Sequence, residues 1–186
     1  MLKSEIILKL LLIGDGGTGK TSLRERFLGK GFKSDYMMTI GADFAIYKFE
    51  NGEYEKPCKL QIWDLAGQSH FSGVRPAFYS GCHGLLYVYD VTNIDSLEDT
   101  TDWLREALKY IGKPVPIVYL GNKIDLRERG NKSHITKLKG KKILRKIHND
   151  FNLNKYPFNF NETSAKTGVN VKESFLMLSD AILKPN

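Results

Sequence analysis

A glycine-rich loop between two differently patterned segments constrains the fold more than any other feature of the sequence. Its residues are Gly14-Asp15-Gly16-Gly17-Thr18-Gly19-Lys20-Thr21. An apolar run at residues 6–13 precedes the loop, and a segment with helical periodicity follows it. Glycines let backbone N–H groups converge on an anion without clashes from Cβ atoms, and the N-terminus of the following helix favours negative charge. The strand, loop and helix together predict a phosphate-binding site.

The polar residues of this loop predict that the phosphates belong to a nucleoside triphosphate. We expect the Lys20 ammonium to reach the β- and γ-phosphates and the Thr21 hydroxyl to ligate Mg²⁺. The residues expected to contact the nucleotide here are Asp15, Gly16, Gly17, Thr18, Gly19, Lys20, Thr21 and Ser22. The loop alone does not indicate which nucleotide binds.

The rest of the chain alternates apolar runs with helix-period segments, as in an α/β fold whose parallel sheet is covered on both faces. The predicted strands are residues 6–13, 42–50, 59–64, 84–90, 117–121 and 158–161. Asn51-Gly52 is a two-residue turn signal, so the second and third strands should form an antiparallel hairpin. The 186 residues suffice for one such domain, and no linker or repeat divides them.

Two helices are predicted in detail from their apolar positions. The first has one apolar face formed by Leu97, Leu104, Leu108 and Ile111. Ser96 and Asp99 have the spacing of a capping box at its start, and Gly112 is a stop signal at its end. The last helix of the chain is marked by Val171, Phe175, Leu178 and Ile182.

Positive charge is concentrated in one segment. The chain carries 28 Lys and Arg against 21 Asp and Glu, a net charge of +7. Residues 127–155 hold ten of the basic residues and two acidic ones, so the remainder is nearly neutral. Helical spacing of Ile143, Leu144 and Ile147 predicts an amphipathic helix whose lysines face solvent. A plain surface helix, an anionic membrane or an acidic partner would each suit it, whereas no nucleic-acid module is recognisable.

The remaining composition predicts a cytoplasmic protein, either free or peripheral at membranes. Two cysteines, Cys58 and Cys82, are too few for a disulfide scaffold, and no apolar run is long enough to span a bilayer. Residue 2 is Leu, and the sequence ends Leu183-Lys184-Pro185-Asn186, so no lipidation signal is expected in it.

Polar residues directly follow the third predicted strand. Asp64, at its end, can hold Mg²⁺ through water, because the hairpin brings this strand beside the one that feeds the glycine-rich loop. Gly67 permits close approach of the backbone to a γ-phosphate. Gln68 is suitably placed to orient an attacking water.

Two further motifs predict that the base is guanine. Asn122-Lys123-Ile124-Asp125 follows the fifth strand, at the carboxyl edge of the sheet where ligands bind in open α/β folds. The Asp125 carboxylate would accept from guanine N1–H and the exocyclic amino group, a donor pair that adenine lacks. In Thr163-Ser164-Ala165-Lys166, after the sixth strand, the Ala165 N–H and the Lys166 stem would reach the base.

These elements, in this order and spacing, resemble the Ras superfamily of small GTPases over almost the whole chain. The stretch Thr39-Ile40-Gly41-Ala42-Asp43-Phe44, with Trp63-Asp64 and Phe71, is most similar to the Rab branch. The resemblance implies a P-loop NTPase G domain over residues 1–186, with a six-stranded, mostly parallel sheet, one antiparallel strand and about five helices. It also implies Mg²⁺-GTP binding, slow hydrolysis, two switch regions, and a part in membrane trafficking or related signalling.

The resemblance also implies roles by position. Thr39 should contact Mg²⁺ and the γ-phosphate, Phe32 should flank the guanine, and Phe44, Trp63 and Phe78 match an effector-binding triad, although such aromatics also suit a core. The expected metal ligands are Thr21, Thr39 and Asp64, and the expected catalytic residues are Gln68, Lys20 and Gly67. The nucleotide-binding set is completed by Asn122, Lys123, Asp125, Ser164, Ala165 and Lys166.

The sequence departs from the Rab pattern at switch II, where Leu65 replaces a usual Thr and Ser69-His70 a usual Glu-Arg. We expect His70 to be an exposed switch residue rather than a general base. Two other functions remain open: a scaffold that holds GTP with negligible turnover, and a nucleic-acid binder that uses the basic segment. The glycine-rich loop alone would also suit a kinase, but that function would give residues 122–125 no role.

Overall fold

A six-stranded sheet in the order β2-β3-β1-β4-β5-β6 forms the centre of the protein. The computed structural model describes residues 5–32, 38–49, 57–128 and 130–184. The strands are β1 Ile6–Ile13, β2 Ala42–Phe49, β3 Cys58–Leu65, β4 Gly84–Asp90, β5 Ile117–Asn122 and β6 Asn159–Glu162. Every strand end lies within one residue of its predicted position.

Only β2 runs antiparallel to its neighbour among these strands; the other four pairings are parallel. The predicted α/β fold with one antiparallel strand is therefore confirmed. The Asn51-Gly52 turn lies outside the described residues.

Five helical segments flank the sheet in the described part of the chain. They are α1 Lys20–Phe27, α2 Pro76–Tyr79, α3 Asp95–Glu98 together with α4 Thr100–Ile111, α5 Lys137–Asp150 and α6 Val171–Leu183. We count α3 and α4 as one segment because Asp99 between them keeps helical dihedral angles. Gly112 ends α4 with φ of 78°, as its stop signal predicted.

The predicted capping box at the start of this segment is wrong. Ser96 lies inside α3, and its hydroxyl donates to the Asn93 carbonyl (2.7 Å) and accepts from the Asp90 N–H (3.0 Å). The residue before α4, Asp99, makes no side-chain cap. The helical segment begins at Asp95, two residues earlier than the spacing suggested, and the Ser96 hydroxyl instead bonds to backbone groups of Asp90 and Asn93.

Helices cover the central strands on both faces, which explains why these strands are apolar without alternation. In β1, Leu10 and Leu12 pack in one buried cluster with Phe175 of α6, whereas Leu11 and Ile13 pack in the other with Leu104 of α4. The predicted apolar faces of α4 and α6 are thus confirmed. The carboxyl ends of the parallel strands form one edge, above which the site lies.

The basic segment contains an amphipathic helix, as predicted. In α5, Leu144 is buried and Ile143 and Ile147 are half-buried. The exposed basic residues of this helix are Lys137, Lys139, Lys141, Lys142, Arg145 and Lys146. Separately, no helix in the described ranges combines the length and apolarity that crossing a bilayer would require.

Candidate functional site

A cavity of about 500 Å³ lies at the carboxyl edge of the sheet and brings the predicted motifs together. Of the predicted site residues, it is lined by Gly16, Gly17, Gly19, Lys20, Thr21, Ser22, Phe32, Thr39, Gly67, Gln68, Asn122, Lys123, Asp125, Ala165 and Lys166. The other four, Asp15, Thr18, Asp64 and Ser164, lie behind the lining residues and contact them. Five stretches that are distant in sequence therefore share one space.

The glycine-rich loop wraps around the buried Lys20 side chain at the start of α1. The ammonium donates to the carbonyls of Gly14 and Asp15, both at 2.7 Å. Burial lowers the pKa of Lys20 to about 8, while the carboxylates of Asp64 and Asp15 oppose this shift. Gly19 has φ of 95°, and a Cβ there would lie 2.4 Å from Asn122 Nδ2, so only glycine fits.

Two hydroxyls and one carboxylate meet next to this lysine. The Thr21 hydroxyl donates to Asp64 Oδ2 at 2.5 Å and lies 3.0 Å from the Thr39 hydroxyl, which is itself 3.5 Å from Asp64 Oδ2. Asp64 is fully buried, which raises the pKa of its carboxyl against the opposing effect of Lys20. Its Oδ1 atom has no hydrogen-bond partner among the described residues.

This donor set fits Mg²⁺. Magnesium prefers oxygen ligands and in nucleotide sites is held by few protein groups together with phosphates. A buried carboxylate oxygen without a partner is costly unless a cation or donor compensates it. The oxygens of Thr21, Thr39 and Asp64 therefore suit the metal that the sequence predicted.

The segment after β3 lies directly against the glycine-rich loop. A Cβ on Gly67 would lie 2.3 Å from the Asp15 carbonyl carbon and 2.4 Å from the Gly16 nitrogen, so this approach requires glycine. The Gln68 side chain reaches Gly16, where a Cβ would lie 3.1 Å from Gln68 Nε2. His70 is exposed, as predicted, with its ring against Phe71.

Asn122 joins the base motif to the phosphate loop. Its side chain donates to the Thr18 carbonyl (2.9 Å) and accepts from the Thr163 hydroxyl (3.1 Å) and the Ala165 N–H (3.3 Å). It is 1% exposed, so these bonds are shielded from water. Two motifs separated by more than forty residues are thus fixed to each other and to the loop.

Asp125 and Lys123 are held in place by neighbouring side chains. The Ser164 hydroxyl donates to Asp125 Oδ1 at 2.5 Å, and the Lys123 ammonium pairs with Asp90 at 2.6 Å. Lys123 has φ of 67°, a conformation uncommon outside glycine. The exposed Asp125 carboxylate lines the cavity and is available to accept from a base.

Sequence reasoning missed two residues that support this end of the site. Arg26 of α1 donates to the carbonyls of Ala165 (2.8 Å) and Lys166, which holds the last motif against α1. The Thr163 hydroxyl binds Asn122. Thr163 belongs to the motif at residues 163–166, but the sequence alone assigned it no role, whereas no local sequence pattern marks Arg26.

The three candidate effector-binding aromatics lie side by side. The ring centroids are 4.7 Å apart for Phe44 and Trp63 and 5.6 Å apart for Trp63 and Phe78. Phe44 is 41% exposed, whereas Trp63 and Phe78 are half-buried and pack against the core. The cluster is therefore exposed to solvent at Phe44, whereas Trp63 and Phe78 also contribute to core packing.

Comparison with known proteins agrees with this geometry. The Ras family model matches residues 9–184. The chain is 38% identical to Ras-related protein Rab-10 of Diplobatis ommata over 180 residues, 97% of this chain and 83% of that protein. It is also 38% identical to GTP-binding protein ypt1 of Schizosaccharomyces pombe (96% and 81% covered) and to Ras-related protein Rab-8 of Diplobatis ommata (96% and 79% covered). The chain belongs to the Ras family and is a Rab-like small GTPase.

Proposed function

We propose that this GTPase is a molecular switch, a single G domain over residues 1–186 that binds Mg²⁺-GTP and hydrolyses it to GDP and phosphate by direct attack of water. The observation that carries the proposal is the shared cavity, where the base motif, the phosphate loop, Thr39 and Gln68 face one space and Asp64 lies directly behind Thr21. Its volume is in the range of ordinary small-molecule sites.

The residues divide the work of binding. Asp125 accepts from the guanine base, with Ser164 orienting its carboxylate and Lys123 and Lys166 flanking the base. Ala165 supplies a backbone N–H, and Phe32, which is 44% exposed, covers the open side. Backbone N–H groups of the loop from Asp15 to Ser22 surround the phosphates.

Hydrolysis needs positioning and charge compensation rather than a covalent intermediate. Thr21, Thr39 and Asp64 would hold Mg²⁺, which supplies positive charge for the β- and γ-phosphate oxygens. Lys20 adds a second positive charge, and the Gly67 N–H binds the γ-phosphate. Gln68 orients the water for in-line attack. Loss of the γ-phosphate removes contacts of Thr39 and Gly67, so both switch segments become free to move.

The test is a single-turnover assay of GTP hydrolysis with the purified chain. Gln68→Leu should slow the reaction by about 10-fold or more, because the amide that orients the water is lost. Gln61→Leu makes the same chemical change on β3 and should leave the rate unchanged. A Gln68→Leu rate equal to wild type would contradict the role of Gln68, and no phosphate release over hours from wild type would favour the GTP-binding scaffold instead.

We also propose that the protein acts in membrane trafficking or related signalling, in the cytoplasm and peripherally at membranes, through effectors that bind Phe44, Trp63 and Phe78. The Rab-like sequence and the exposed Phe44 ring support this. A partner of this type should bind the GTP-loaded chain better than the GDP-loaded one. Phe44→Ala should remove that difference without altering nucleotide affinity.

A specific observation favours weak contact of the basic segment, residues 127–155, with an anionic membrane. Leu138 is 78% exposed at the start of α5 and shares a helical face with Lys141, Lys142 and Arg145. Among the described residues, none of these three cations forms an ion pair. The Arg145 guanidinium lies over the Phe158 ring, 4.7 Å from its centre. An apolar side chain among cations without carboxylate partners in the described residues suits a bilayer interface better than it suits nucleic acid.

Co-sedimentation with vesicles tests this contact. Vesicles containing phosphatidylserine should retain the wild-type chain, and neutral vesicles should not. Lys141→Glu together with Lys142→Glu should abolish retention, whereas Lys172→Glu on α6 should not. Equal retention on both kinds of vesicle, or salt-dependent binding to oligonucleotides that the same double variant removes, would contradict the membrane proposal.

A further inference from the structure

We propose that Arg75 is a positioning residue for GTP hydrolysis, which fixes the backbone on both sides of Gly67 and thereby the side chain of Gln68. The inference rests on the role proposed above for Gln68. Arg75 does not touch the cavity that would hold the nucleotide, so it would act entirely through the segment after β3.

The Arg75 guanidinium is anchored on α4. It is 6% exposed, and its Nε and Nη2 atoms each donate to one carboxylate oxygen of Glu106 at 2.7 Å. The Tyr79 hydroxyl donates to the same carboxylate at 2.8 Å. A bidentate pair of this kind fixes the orientation of the guanidinium as well as its position.

The indole of Trp103 supports the guanidinium from one side. The guanidinium carbon lies 4.3 Å from the centre of the Trp103 ring, a cation–π distance. Trp103 Nε1 in turn donates to Asp15 Oδ1 at 2.7 Å. The same helix therefore holds both the phosphate loop, through Asp15, and Arg75.

The remaining edge of the guanidinium contacts the backbone next to Gly67. Nη1 donates to the Gln68 carbonyl at 3.1 Å and makes a longer contact of 3.5 Å with the Ala66 carbonyl. The C=O and N–H groups of a trans peptide point in opposite directions. A donor on the Ala66 carbonyl therefore turns the Gly67 N–H away from Arg75 and fixes the orientation of this peptide.

This arrangement matters for rate because Gln68 follows the anchored peptides directly. Misplacing a catalytic group by about 1 Å can cost on the order of 100-fold in rate. Only arginine has enough donors in a fixed plane to bind a carboxylate with two and a carbonyl with a third. Lysine at position 75 would keep the charge but lose this geometry.

The first experiment compares hydrolysis with nucleotide release in the full chain. In Arg75→Lys, we expect the single-turnover rate of GTP hydrolysis to fall about 10- to 100-fold, while release of a fluorescent GDP changes less than about 2-fold. The control Arg105→Lys alters an exposed arginine of α4 that pairs with Asp102, and should change neither rate. Equal slowing of hydrolysis and acceleration of release would indicate a structural role and overturn the proposal.

A double-variant cycle tests whether Arg75 acts through Gln68. In a Gln68→Leu background, Arg75→Lys should change hydrolysis less than about 2-fold. An undiminished effect there would overturn the proposal. If Gln68→Leu alone hydrolyses GTP like wild type, the role of Gln68 fails; if it is slow while Arg75→Lys is normal, only the positioning role fails.

Glu106→Gln gives an independent test in case Arg75→Lys does not fold. The amide keeps the shape of the side chain but offers one acceptor oxygen in place of two, so the guanidinium is held less firmly. We expect hydrolysis to slow by about 3- to 10-fold with unchanged GDP release. A wild-type hydrolysis rate in Glu106→Gln would overturn the proposal.

Discussion

The two ends of the cavity are built differently. At the base end, Asn122 makes three hydrogen bonds to other segments, Ser164 holds Asp125, and Arg26 holds the loop of Ala165. At the phosphate end, the Lys20 ammonium is bonded to backbone carbonyls alone, and the buried Asp64 carboxylate keeps an oxygen without a partner in the described residues.

Under the proposed function, this difference assigns recognition of the base to one end of the cavity and sensing of the γ-phosphate to the other. Protein groups satisfy one another at the base end, and we propose that the fold itself thereby fixes which base can bind. The phosphate end would be completed by its ligands, and the described residues next to Thr39 and Gly67, 38–41 and 66–68, have no regular structure. A switch needs this combination, because affinity must persist while the shape near the γ-phosphate changes.

The largest expected effect is at the base end. Asp125→Asn replaces an acceptor-only group with an amide and should weaken GDP binding by about 10³-fold or more, since a buried donor pair of guanine loses its partner. Xanthosine diphosphate, which carries an oxygen in place of the amino group, should bind the variant better than wild type. Competition with a fluorescent nucleotide measures both. Asp150→Asn, at the end of α5, is the matched control and should bind GDP like wild type. A loss of less than about 10-fold in Asp125→Asn would contradict the role of Asp125 in recognising guanine.

A smaller effect is expected for the metal at the phosphate end. Asp64→Asn should weaken Mg²⁺ binding by about 10- to 100-fold, because a buried negative charge beside the two threonine hydroxyls is removed. The measurement is the rate of GDP release as a function of Mg²⁺ concentration. The exposed Asp102→Asn should behave like wild type. If Asp64→Asn and wild type respond equally to Mg²⁺, the metal is not held there.

Gly16→Ala probes the contact between the phosphate loop and Gln68. The added Cβ would lie 3.1 to 3.3 Å from Gln68 side-chain atoms and would push this side chain aside. We expect hydrolysis to slow about 10-fold while GDP affinity stays the same. Gly73→Ala, in the same segment with open space around it, should have no effect. A rate unchanged in Gly16→Ala would mean that Gln68 acts from another position.

The smallest expected effect is a pH-dependent stability at Asp15. Burial and the neighbouring Asp99 raise the pKa of Asp15 to about 6, although the Trp103 N–H opposes this. The folded state then binds the proton more tightly than the unfolded state, so stability is lost as pH rises from about 4 to about 6. With saturating GDP, Asp15→Asn should raise Tm by about 2–4 °C at pH 7, and the gain should vanish near pH 4. A gain that is constant over pH would contradict the raised pKa.

The local sequence pattern was sufficient to predict the strands of the sheet and most of the residues that line the cavity. Continuous apolar runs marked strands such as β4, and parallel strands must end at a common edge, which brought Asn122 near Lys20. The Ser96 cap failed because the same spacing occurs within a helix, and because a backbone group 6 residues earlier took the hydroxyl.

Contacts between side chains that lie far apart along the chain could not be predicted from the sequence. Arg75 and Glu106 are 31 residues apart, and Arg26 and Ala165 are 139 apart. An arginine in a helix or loop looks like a solvated surface residue until the packing brings a carboxylate or carbonyl to it. The groups that position the site were therefore less predictable than the groups that line it.

Identification of the bound nucleotide tests the central claim most directly. The nucleotide that co-purifies with the full chain should be GDP or GTP, and added GTP or GDP should displace it. ATP should fail to displace it even at about 100-fold excess. The reason is that Asp125 is already held in place before the nucleotide binds, and adenine lacks the donor pair that this carboxylate accepts from. Displacement by ATP at concentrations similar to those of GTP would contradict the claim that the fold fixes the base.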